Sequence, residues 1–130
     1  MADWTVKSSD EVFAQRAQIG AGYLSRIDAI LQKTSSEKPG SVAKSFKKFR
    51  LFLKKVDDLQ NGIRKPQDFL VFVRNDADGV PLYSLIHDKW RCLYRVEGGI
   101  CTSAKIERMT PDLRRAEESR HKHGQKLPNL

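Results

Sequence analysis

The residues of this chain best equipped for chemistry are cations concentrated in its second half. Lys89, Arg91, Arg95, Lys105, Arg108, Arg114 and Arg115 fall in one stretch. Guanidinium groups grip phosphate oxygens in bidentate fashion. Held in place, they also stabilise the charge that builds on a phosphate under attack, with no metal required. The plainer reading is a set of ordinary surface cations, since arginine is common at strand edges. A second group is Lys44, Lys47, Lys48, Lys54 and Lys55, with no acidic residue between Lys44 and Asp57. Such a face is usually just solvated. Unbroken by acids, it is also a candidate RNA-binding surface, to which Arg95, Lys105 and Arg114 would add.

Other chemistries find less support. The chain has no Walker loop and no HExxH motif, and its acidic residues are scattered. Its two cysteines, Cys92 and Cys101, make no disulfide scaffold and have no histidine at zinc-ligand spacing. His121 and His123 lie two apart, which on a helix places them on different faces. Asn75-Asp76-Ala77-Asp78-Gly79 resembles the start of a calcium loop but lacks the later ligands and the closing glutamate, and reads as a turn. No metal or cofactor is expected. His87 is the best single candidate for a general acid or base, although a lone histidine in a turn is more often merely exposed.

The elements that must position these residues follow from periodicity. A short strand spans residues 3–7. Ser8 and Glu11 have capping-box spacing, and apolar residues from Val12 to Leu31 recur every three or four positions. That predicts a helix over about residues 9–33, weakened by Gly20 and Gly22. After a polar loop ending in Pro39-Gly40, a second helix begins near Ser41. Its stripe is Val42, Phe46, Phe49, Phe52, Leu53, Val56 and Leu59, and Asn61-Gly62 stops it. Strands are expected over 69–73, 82–86, 90–96 and 100–106, with Gly98-Gly99 as a tight hairpin. Thr110-Pro111 opens a charged helix to about Lys122, and residues 123–130 read as a flexible tail.

The architecture is therefore α+β: one domain over residues 1–122, in which a helical hairpin covers one face of an antiparallel sheet. Strand alternation puts Trp90, Cys92, Tyr94 and Val96 toward the helices. Arg91, Leu93 and Arg95 point to the opposite, open face. A two-residue hairpin loop pairs Arg95 with Thr102 and Arg91 with Ile106. It also keeps the two cysteines apart in register, so no disulfide is expected. Arg91 and Arg108 are expected to converge on the open face, with Lys89 or Lys105 beside them.

Bulk properties narrow the function. The chain has 130 residues, about one domain, and 39% are hydrophobic, enough for one core. It carries 24 Lys and Arg against 16 Asp and Glu, for a net charge of +8. Such a balance points to a polyanionic partner, RNA or the ribosome. The sequence shows no secretory leader and no apolar run of membrane-spanning length, so a cytoplasmic location is expected.

The segment from Lys89 through Trp90-Arg91-Cys92-Leu93-Tyr94-Arg95-Val96 to Gly99 resembles the strand–hairpin signature of the RelE/ParE toxin superfamily. Ala104-Lys105-Ile106-Glu107-Arg108, followed by a charged helix, is similar to that family's last strand and basic end. The predicted element order is also that of the family. The likeness covers about 20 residues closely and the rest in outline. It implies the toxin of a toxin–antitoxin pair: an endoribonuclease that cuts mRNA at the ribosome. Attack of a ribose 2′-hydroxyl would need no metal, and a cognate antitoxin protein would be the partner. Arg91 and Arg108 match the family's arginines, and Lys89 takes part of its lysine role. The sequence departs from the pattern in its length and in having no tyrosine after Tyr94. The alternative is a non-catalytic basic module that binds nucleic acid or protein, including a ParE-like gyrase inhibitor.

Overall fold

Two long helices form where the apolar stripes predict them, with bounds set by their caps. α1 is Asp10–Leu31 and α2 is Pro39–Gln60. Ser9 rather than Ser8 caps α1, its Oγ accepting from the Val12 N–H at 3.1 Å. The Ser9 N–H donates in turn to Ser103 Oγ at 3.0 Å, which ties the helix entrance to the sheet. α2 starts at Pro39, whose missing N–H costs nothing in a first turn. The computed structural model describes residues 3–130, so the first two residues of the expected domain lie outside the described residues.

The strands are β1 (Thr5–Lys7), β2 (Val71–Asn75), β3 (Pro81–His87), β4 (Trp90–Glu97) and β5 (Ile100–Arg108), and α3 spans Pro111–His123. They form one five-stranded sheet in the order β1-β5-β4-β3-β2. β1 runs parallel to β5 and the other neighbours are antiparallel, so the sheet is mixed rather than wholly antiparallel as expected. Gly98 and Gly99 have φ of 58° and 77°, the left-handed backbone a two-residue hairpin needs. The fold is α+β, as the sequence predicts. No helix among the described residues is long and apolar enough to cross a membrane.

α1 and α2 cover one sheet face. Phe49 is 1% exposed and its ring centroid lies 4.8 Å from that of Trp90. Phe52 and Tyr94 are buried in the same cluster, and Phe46 and Phe72 pack at its margin. Cys92 and Cys101 are both buried there and free.

Three further features differ from the sequence reading. The hairpin register holds at Arg95 and Thr102, but a bulge at Ala104 shifts the ladder. Arg91 therefore faces Glu107 rather than Ile106. The second sheet face is not open, because α3 lies across it. The expected flexible tail is tied down instead. The Phe72 N–H donates to the Gln125 carbonyl at 2.8 Å, the Leu127 N–H donates to Leu70 at 3.1 Å, and Leu127 joins the core. Gly124 permits this turn: a Cβ there would sit 2.3 Å from the Arg120 carbonyl and 2.9 Å from Val71. At the other sheet edge, the Ile106 N–H donates to Gln15 Oε1 of α1 at 2.8 Å.

Candidate nucleic-acid interface

The structure separates the two arginines expected to act together. Arg91 pairs across the ladder with Glu107, while Arg108 pairs with Trp90. Neighbours along a strand alternate, so Arg91 lies on the α3 face and Arg108 on the helical-hairpin side. Arg91 is only 6% exposed, and every arm of its guanidinium is occupied. Nε and Nη2 donate to Glu107 Oε2 at 2.8 and 2.6 Å, and Nη1 donates to Glu117 Oε1 at 2.8 Å. The proposed convergence of Arg91 and Arg108 on an open face is thus corrected. Arg91 is a buried structural cation, placed there by the bulge and by α3.

Glu117 is fully buried and forms the centre of this network. Its Oε1 also accepts from Arg120, and its Oε2 accepts from Ser84 Oγ at 2.8 Å. The single hydroxyl proton of Ser84 goes to that carboxylate. Ser84 Oγ therefore accepts from His121 Nε2–H across 3.0 Å, which fixes the histidine tautomer. Burial lowers the His121 pKa, and Arg120 and Lys126 lower it further against the pull of Glu117. Burial alone would raise the Glu107 carboxyl, but Arg91 and Lys105 hold it below its ordinary value. Lys105 is bound to Glu107 at 3.2 Å. Arg95 is held by Asp76 at 3.0 Å, beside the 75–79 turn.

The remaining cations do come together. Lys89, Arg108, Arg114 and Arg115 line one cleft of about 620 Å3, where the β3–β4 turn meets the start of α3. The Met109 N–H donates to the Lys89 carbonyl at 2.7 Å, which sets Lys89 beside the end of β5. Thr110 caps α3 and so fixes the first turn that presents Arg114 and Arg115. Arg114 is bound to Glu118 at 2.8 Å and to Asp88 at 3.3 Å, and Arg115 to Asp112. Among the described residues, no carboxylate lies in ion-pair range of Lys89 or Arg108, and both are exposed.

The lysine face of α2 continues this surface. Lys44, Lys47 and Lys54 are exposed, and Lys48 and Lys55 are half-buried toward the β3–β4 turn. Asp88 lies 3.6 Å from Lys48 as well as 3.3 Å from Arg114, so one carboxylate bridges the helix face and the cleft. Lys54 is partly offset by Asp58 at 3.6 Å. His87 belongs to a neighbouring cavity rather than to the cleft. Partial burial, with Lys55 and Lys48, lowers its pKa against the pull of Asp88.

The cleft can bind phosphate through its cations, and its one carboxylate, Glu118, is already engaged by Arg114. Burial pushes the thiols of Cys92 and Cys101 up to about 12, so neither is a nucleophile. Among the described residues, no three His, Cys, Asp or Glu side chains gather to hold a metal ion. No protein-family model, curated protein or solved structure matches the chain.

Sequence reasoning missed the network of Ser84, Glu107, Glu117 and His121. A signal was present: Leu82 and Leu93 share the arginine face, and apolar residues there call for a cover.

Proposed function

We propose that this protein is a cytoplasmic RNA-binding module acting through the cationic surface around the β3–β4 turn. The observation that carries this reading is the pairing state of its cations. Among the described residues, Lys89 and Arg108 have no carboxylate partner, and they share one cleft with Arg114 and Arg115. Asp88 joins that cleft to the lysine face of α2. Unpaired cations on a protein of net charge +8 gain most from meeting phosphates, because bound counterions are released from the nucleic acid.

Fluorescence anisotropy with a single-stranded RNA oligomer, measured across a salt series, tests this. Log affinity should fall with log salt by about 0.7 per phosphate contact. Lys89→Glu with Arg108→Glu should weaken binding and flatten that slope. Binding that ignores salt, or survives the double reversal unchanged, rules the reading out.

A second reading is the mRNA-cleaving toxin implied by the RelE/ParE resemblance, with the ribosome as its site of action and an antitoxin as partner. Three of the residues expected for it, Lys89, Arg108 and Arg114, do share the cleft. In that case Arg108 and Lys89 bear the scissile phosphate, and Arg91 acts only through the fold. Expression in a bacterium should then arrest growth and cleave mRNA, and Arg108→Ala should abolish both. Unimpaired growth with the unmodified chain removes this reading and leaves the binding module.

A further inference from the structure

A smaller and more enclosed cavity, of about 270 Å3, lies on the other side of the β3–β4 turn from the cationic cleft. Leu51 and Phe69 give it apolar walls, and His87 stands at the end of β3 beside them. Lys54, Lys55 and Arg64 supply its positive charge, against the single carboxylate of Asp58. The buried stripe of α2 faces the sheet through Phe49, Phe52 and Val56. Leu51 is turned away from it, 42% exposed in the middle of the lysine face. One exposed leucine is ordinary on a protein surface. A leucine that lines a cavity together with an aromatic residue, among three cations and one carboxylate, has the makeup of a site for a flat apolar group carrying negative charge.

We infer that this cavity is a nucleobase subsite, taking one unstacked base of single-stranded RNA between Leu51 and Phe69, with the adjoining phosphates on Lys54, Lys55 and Arg64. The inference rests on the RNA-binding reading and extends it from charge to base contact. Bases stack on aromatic and apolar side chains whatever their identity, so the subsite is sequence-tolerant. In its neutral form, His87 offers one donor and one acceptor to a base edge. His87 and Lys89 are two residues apart, with Cα atoms within about 7 Å. A strand seated in the cavity therefore passes the turn and meets the cleft cations next. Duplex RNA keeps its bases stacked inside and cannot fill the site.

The test compares a short single-stranded RNA with an abasic oligomer of the same length and charge, using anisotropy on the full chain. The base-bearing oligomer should bind about tenfold more tightly. Leu51→Ser and Phe69→Leu should each shrink that ratio toward one while leaving the salt dependence unchanged. Circular dichroism confirms that each variant is folded, and exposed Leu51 is the safer of the two. Equal binding of both oligomers overturns the subsite but leaves RNA binding standing. Full discrimination by both variants also overturns it, because the bases are then read elsewhere. Failure of the wild type to bind either oligomer overturns the RNA-binding reading itself.

Discussion

The two faces of the sheet are covered in opposite ways. α1 and α2 cover one face with Val12, Tyr23, Phe49, Phe52 and Val56 against Trp90, Cys92 and Tyr94. That contact is non-directional and works by removing apolar area from water. α3 covers the other face through charge: Glu117 between Arg91, Arg120 and Ser84, with His121 behind. Buried ion pairs contribute little net stability, because desolvation offsets their attraction, but breaking one is costly. The hairpin thus supplies stability, and α3 supplies an orientation. Orientation matters here, because the first turn of α3 carries Arg114 and Arg115 to the cleft.

Breaking the apolar cover should have the largest effect. Phe49→Ala should cost about 3–5 kcal/mol in denaturant unfolding. A loss below ~1 kcal/mol would mean that the aromatic cluster contributes little. The ionic cover should respond differently. Glu117→Leu alone should cost about 3 kcal/mol, since it strands buried Arg91 with one partner. Adding Arg91→Met should recover most of that loss, and a double variant as unstable as the single would refute the comparison.

Acid should also loosen α3 selectively, with a smaller effect. The folded-state pKa of His121 lies below its ordinary value, so protonation favours the unfolded chain. Its contribution is intact above about pH 6.5 and is lost as pH falls below that toward the folded value. Melting temperatures taken from pH 8 to pH 5 should fall, and His121→Gln should reduce the dependence. A variant as acid-sensitive as the parent would place the titration elsewhere, His87 being the next group. The smallest effect should come from Tyr94→Phe. The buried Tyr94 hydroxyl meets no better partner than the weak Cys92 thiol. Its removal should leave stability unchanged or raise it by up to about 1 kcal/mol.

The same contrast explains what was legible in the sequence. The apolar cover announced itself through Val42, Phe46, Phe49 and Val56 at helical spacing, and through alternation from Trp90 to Val96. Thr110-Pro111 and Gly98-Gly99 marked their cap and turn because those positions need particular backbones. Leu82 and Leu93 signalled that the second face needs a cover, but the charged makeup of that cover was illegible. Glu117, Arg120 and His121 share a helix face that carries no apolar stripe, so α3 reads as a solvated helix. The partner of Arg91 depended on the bulge at Ala104, one extra residue with no composition signal. The pairing of β1 with β5 joins residues far apart in the chain, and three residues alone cannot specify it. Lys89, Arg108 and Arg114 were picked out by type. Their meeting place depended on where α3 turns, and Arg91 was misplaced for the same reason.

The C-terminal segment has a consequence for how the molecule behaves in a crowd. Residues 125–127 bond to the start of β2, and Lys126 bridges Val71, so they occupy backbone groups that this end of the edge strand would otherwise offer. On the opposite side, β1 and the Gln15 amide occupy β5. An exposed edge is a template on which another chain can add a strand, and such addition leads to fibrous aggregates. The start of the β2 border is thus covered by the chain's own C-terminal segment. Losing the segment after α3 would therefore uncover the start of β2 and also take Leu127 out of the core.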